Sequence, residues 1–162
     1  MRPNLFTIDF PGPGRVSTMA RPRGGDWLED EMTALRRSGV DILVCALTRP
    51  ELQDLGLAEE PQAAAAAGLR FVAVPITDRT VPELATVLPT LDTLAEQLRE
   101  GAHIVTHCRA GIGRSSLLAA ALLILGGIGP DISWNLIERA RGLAVPDTAE
   151  QREWTMQLRK AP

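Results

Sequence analysis

The stretch Ala102-His103-Ile104-Val105-Thr106-His107-Cys108-Arg109-Ala110-Gly111-Ile112-Gly113-Arg114-Ser115-Ser116-Leu117-Leu118 decides the fold. Residues 102–106 combine β-branched and apolar side chains in the manner of a buried strand. Residues 107–113 carry two glycines, and the apolar run that follows predicts a helix from about Gly113 to Leu125. A strand that passes through a glycine-punctuated loop into a helix is the building unit of a parallel sheet.

The same alternation extends outward from this unit. Asp41 to Leu47 and Arg70 to Val74 read as strands covered on both faces, and Leu5 to Ile8 as a further short strand. Asp26 is the candidate N-cap of a helix over about 27–38, with Gly39 as its stop. Residues 49–55 and 59–67 read as helices. Pro82 opens a longer one that reaches about Glu100, with a kink or break expected at Pro89. Two more helices are expected near 132–141 and 148–159. The remainder of the first twenty-five residues reads as turns, Pro11-Gly12-Pro13-Gly14 above all. The segment Arg21 to Trp27 is either a plain surface loop anchored in the core by Trp27 or a lining of the substrate entrance. The fold class is therefore α/β: a mainly parallel central sheet of four to five strands flanked by helices, in one domain over residues 1–162.

Composition narrows the function. A hydrophobic content of 45% suffices for a core, and a formal charge of −3 leaves no broad basic face for nucleic acid or anionic lipid. Attraction for an anionic substrate must be local. Residues 1–14 carry prolines, Asn4 and Asp9 where a secretory signal needs an apolar run. The longest apolar stretch, Leu117 to Leu125, covers about half of the roughly 20 residues that span a bilayer. Two cysteines do not make a disulfide framework, so a reducing, cytoplasmic setting is expected. With two histidines and two cysteines, no cluster has metal-ligand spacing along the chain, and neither a metal nor a cofactor is expected. His103 reads as an ordinary core or edge histidine.

The chemistry concentrates in His107 to Ser115. A loop that wraps from a strand end into a helix N-terminus turns backbone N–H groups inward, where the helix end adds partial positive charge, and so makes an anion cradle. Gly111 and Gly113 suit its dihedrals. Arg114, returning to the rim of the cradle, matches two phosphate oxygens with its planar fork, which lysine cannot do. Among these donors the Cys108 thiol is expected to be activated as a thiolate.

This segment resembles the signature of the cysteine-based protein-tyrosine and dual-specificity phosphatases, HCxxGxxR followed by serine or threonine, and matches it at each fixed position. The resemblance implies that Cys108 attacks phosphorus to form a phosphocysteine, while Arg114 and the backbone of Arg109, Ala110, Gly111, Ile112 and Gly113 hold the phosphate oxygens. It implies that Ser115 donates a hydrogen bond to the departing thiolate and that His107 helps set the environment of the cysteine. Asp78, in the loop Pro75 to Pro82, resembles the mobile acid of the dual-specificity group, which protonates the leaving oxygen and later activates water. The segment Asp147 to Trp154 is similar to the water-positioning segment of classical tyrosine phosphatases, with Asp147 in place of the first glutamine. Gln151 and Asp147 are thus candidates for water positioning, against surface solvation for Gln151 and helix capping for Asp147. By the same resemblance Cys45 is either a redox partner of Cys108 or a plain core cysteine.

The expected partner is a phosphorylated protein or a small phosphomonoester. Alternatives are a phosphoinositide, an inositol phosphate or an RNA 5′ end, or a non-catalytic phosphate-binding module. A rhodanese-like sulfurtransferase fits less well, given His107 before the cysteine and Ser115 after the arginine. Oligomeric state is not legible.

Overall fold

A computed structural model of the chain describes residues 2–158. Arg159, the end of the last expected helix, lies outside the described residues. The strands are β1 (Phe6–Thr7), β2 (Arg15–Met19), β3 (Ile42–Cys45), β4 (Arg70–Ala73) and β5 (His103–His107). They form one sheet in the order β1-β2-β5-β3-β4, parallel throughout except for β1 against β2. The α-helices are α1 (Leu28–Arg37), α2 (Arg49–Asp54), α3 (Glu60–Ala66), α4 (Leu84–Arg99), α5 (Arg114–Leu125), α6 (Pro130–Arg141) and α7 (Ala149–Trp154).

Side-chain alternation along the central strands divides the core in two. Ile42, Val44 and Ile104 face a cluster built with α4, α5 and α6, whereas Leu43, Cys45 and Val105 face one built with α1 and α3. In α5 every residue from Arg114 to Ile124 is buried, so it is apolar on all sides after its first turn. That explains the uninterrupted run Leu117 to Leu125: the helix lies between the sheet and α4 and α6.

Five local expectations are corrected. Strand β2 was not foreseen, because Ser17 and Thr18 are polar and follow the turn residues 11–14. Both are nevertheless buried, and Ser17 Oγ lies 2.8 Å from His103 Nε2 and 2.8 Å from Thr7 Oγ1. Asp26 does not cap α1. It sits inside a 3₁₀ turn, Gly25–Trp27, and Trp27 precedes the helix without a side-chain cap. Trp27 does not anchor the core either: it is 53% exposed, with the Arg23 guanidinium 4.2 Å from its ring centroid. Helix α4 starts two residues after Pro82 and continues through Pro89. Proline removes one donor there, and the carbonyl left without it belongs to exposed Ala85, where water can replace the lost bond. The last segment is α7 followed by a 3₁₀ turn, Thr155–Leu158, in place of one long helix.

The packing of α5 makes a direct test possible. Leu118→Ala should lower unfolding free energy by about 2–5 kcal/mol in urea titration, whereas Ile132→Ala, on a side chain 60% exposed in α6, should change it by no more than about 0.5 kcal/mol.

Candidate active site

Strand β5 lies between β2 and β3, so the segment leaving its C-terminal end emerges at the middle of the sheet rim, where ligands of open parallel sheets bind. Residues 108–113 form that loop and Arg114 begins α5. The loop carbonyls are drawn outward: Arg21 N donates to Arg109 O at 3.1 Å, and Arg141 donates to Gly111 O at 3.0 Å and Ala110 O at 3.3 Å. With those acceptors engaged on the outside, the N–H groups remain available to an anion. Gly111 has φ of 74°, and a Cβ there would come within 2.8 Å of Ala20 N, so close backbone approach and left-handed conformation both demand glycine.

Arg114 is 1% exposed and held in a fork. Its two terminal nitrogens donate to Glu51 Oε1 and Oε2 at 2.7 and 2.8 Å, and one also donates to Ile76 O at 2.8 Å. Glu51 is itself fixed by Thr48, whose backbone N–H donates to Oε1 at 3.1 Å in a capping box on α2. The Arg114 hydrogen bonds, against the opposing effect of burial, pull the Glu51 carboxyl down to about 2. Asp78 reaches the same guanidinium at 3.3 Å and is 56% exposed. Its loop contains a tight turn closed by Thr80 N on Thr77 O at 3.0 Å, with Arg79 in the left-handed region at φ of 63°.

Cys108 is buried, and its Sγ lies 3.3 Å from Ser115 Oγ. A pocket of about 200 Å³ is lined by Cys108, Arg109, Ala110, Gly113, Arg114, Asp78, Arg79 and Asp147. The structure thus brings together Cys108, Arg114, Ser115, Asp78 and Asp147. Ile112 packs against the core and does not line the pocket.

His107 and Cys45 face the other way. His107 is fully buried, with Nδ1 3.2 Å from Cys108 O and Nε2 2.6 Å from Glu60 Oε2. Burial pushes its pKa down, but the Glu60 carboxylate and hydrogen bonding to Cys45 and Glu60 outweigh it and hold the imidazole well above its usual range. Pairing of Cys45 with Cys108 is not supported: Cys45 belongs to the α1/α3 cluster and Cys108 to the α5 cluster, on opposite faces of the sheet. The surface-solvation reading of Gln151 is also corrected. Gln151 is fully buried, its Oε1 accepts from the backbone of Asp147 and Thr148, and its Nε2 donates to Thr80 O, so the amide caps α7 and ties it to the acid loop. Asp147 is not the cap, which is Thr148.

Residues 17–128 match the family described as "Polymorphic toxin system, DSP-PTPase phosphatase". The chain belongs to this family. It is 42% identical over 57 residues to a tyrosine-protein phosphatase CDC14 homolog of Schizosaccharomyces pombe, covering 35% of this chain and 10% of that protein. It is 25% identical over 134 residues to cyclin-dependent kinase inhibitor 3 of Rattus norvegicus, covering 82% of this chain and 63% of that one. The chain thus spans less than two thirds of these relatives. The crystal structure of Tk-PTP in its active form superposes with a TM-score of 0.78 at 28% identity, over 98% of each chain. The phosphatase fold implied by the HCxxGxxR segment is therefore the one observed.

Three residues of the site escaped sequence reasoning. Thr48-x-x-Glu51 is a legible capping box, but nothing local shows that Glu51 also grips an arginine 63 positions away. Arg141 is one of many arginines, and Glu60 one of two adjacent acids at the start of an alanine-rich helix. The Glu51 fork predicts a pH effect with a definite sign. Its carboxyl falls from an ordinary 4.5 to about 2 on folding. The stabilisation is therefore complete above about pH 4.5 and is lost as pH falls through about 2. In acid unfolding monitored by circular dichroism, Glu51→Gln should flatten the stability decline in that window, while kcat/KM at neutral pH falls by about 10²-fold because Arg114 loses its fixed geometry.

Proposed function

We propose that the chain is a cysteine-dependent phosphatase that hydrolyses phosphomonoesters, of protein-tyrosine or dual specificity, through a phosphocysteine on Cys108. The observation that carries this reading is the convergence of Cys108, the forked Arg114 and Asp78 on one pocket. The phosphate enters with its oxygens on Arg114 and the loop N–H groups. Cys108 Sγ attacks phosphorus, and Asp78, at the solvent side of the pocket, gives a proton to the departing oxygen. Ser115, in contact with Sγ, donates a hydrogen bond to the thiolate when water releases phosphate.

Arg109, 50% exposed, and Arg79 place two further cations around the mouth. They suit a substrate with a second anionic group near the scissile ester, which keeps a phosphoinositide or inositol phosphate as a second reading beside an acidic phosphopeptide. A nucleophilic thiol is preserved in a reducing compartment, and we assign the enzyme, read as one catalytic domain, to the cytoplasm on that ground.

Steady-state hydrolysis of aryl phosphates tests the assignment. Cys108→Ser should abolish turnover while leaving phosphate binding intact. Asp78→Asn should lower kcat by about 10²-fold for a poor leaving group and by much less for a good one. Undiminished turnover by Cys108→Ser would remove the nucleophile, and equal losses for both leaving groups would remove Asp78 as the acid.

A further inference from the structure

Behind the phosphate loop, on the sheet face turned away from the pocket, three side chains from three elements converge. Cys45 closes β3, His107 closes β5 and Glu60 opens α3. The register pairs Cys45 directly with His107, so both side chains leave the sheet on one face. The Cys45 sulfur, a Glu60 carboxylate oxygen and a His107 ring nitrogen all lie within 4.8 Å of one another, and all three residues are buried. Glu60 Oε2 is 2.6 Å from His107 Nε2, whereas the other oxygen, Oε1, is buried with no hydrogen-bond partner among the described residues.

We infer that Cys45, Glu60 and His107 form a buried binding site for a zinc-class divalent cation, separate from the phosphate pocket. Sulfur, imidazole nitrogen and carboxylate oxygen are the donors that zinc takes. The stranded Oε1 is the observation that a simple hydrogen-bonded pair leaves unexplained, since that pair uses one carboxylate oxygen only. Each residue offers one donor atom, so the three supply three corners of a tetrahedral site. Bonds of about 2.0–2.3 Å in a tetrahedral array set ligand atoms roughly 3.3–3.8 Å apart, a spacing within the 4.8 Å span observed. The His107 to Glu60 contact has to lengthen by roughly 0.7 Å to admit the ion.

One further feature fits. The Nδ1 of His107 lies 3.2 Å from Cys108 O, the backbone bond that orients a metal-binding imidazole through its other nitrogen. Spacing along the chain gave no sign of the site, because Glu60 and His107 are 47 positions apart.

The chain has two cysteines, which makes the test clean. In the full chain carrying Cys108→Ser, Cys45 is the remaining thiol, so any thiolate-to-cobalt charge-transfer absorption on adding Co²⁺ must arise from it. The expected result is that band together with about one equivalent of Zn²⁺ retained after gel filtration and a raised Tm. Glu60→Gln and Cys45→Ser in the same background should each weaken binding by at least about 10²-fold. Absence of the cobalt band, or Zn²⁺ retained by the unsubstituted chain but not by Cys108→Ser, would overturn the site. So would affinity unmoved by Glu60→Gln. If the additional variants do not fold, the cobalt spectrum of the Cys108→Ser chain decides.

Discussion

A guanidinium that is 1% exposed cannot be left unpaired, and the architecture around the candidate site follows from that constraint. Arg114 stands at the first residue of the central helix, where the helix end already carries partial positive charge. Glu51 neutralises it in a two-pronged contact, and Ile76 O takes a further hydrogen bond. These partners come from α2 and from the segment after β4, so the cation ties two other parts of the chain to the loop it serves. The guanidinium that lines the pocket is thereby oriented before any substrate arrives, which is what electrostatic stabilisation of a transferring phosphoryl group requires.

The sheet order supplies the rest of the geometry. Placing β5 between β2 and β3 sends its C-terminal end to the middle of the rim, flanked by backbone from both neighbours. Arg21 on one side and Arg141 of α6 on the other hold the loop carbonyls outward. The acid loop is fastened in turn: Gln151, capping α7, donates to Thr80 O beside the turn that carries Asp78. Asp147 lines the pocket from the same segment, close against Gly113, whose missing side chain leaves room for it.

What the sequence made legible was what it holds locally. The strand-loop-helix unit, the cysteine and arginine within it, and the aspartate in a loop before a helix are each contained in a short window whose pattern carries its own physical reason. Glu51 and Glu60 were illegible as site residues because their partners lie 63 and 47 positions away. Gln151 reads as a solvated helix residue, but its buried amide is tied to backbone groups of Asp147, Thr148 and Thr80, the last 71 positions away. Strand β2 was hidden for a different reason. Its polar Ser17 is satisfied sideways by Thr7 and His103, so a strand buried from Val16 to Met19 lacks the apolar run that marks β3. The two sheet faces, invisible in a linear reading, also separate Cys45 from Cys108 and give Cys45 different company.

Rapid quenching of the full chain with an aryl phosphate labelled in its phosphoryl group, followed by peptide mapping, addresses the central claim most directly. The account predicts a covalent phosphoryl group on the sulfur of Cys108, formed and consumed at rates consistent with turnover and trapped for longer when Ser115 is replaced by alanine. Label on any other residue, or turnover with no phosphoenzyme and unchanged by loss of the Cys108 sulfur, would contradict it.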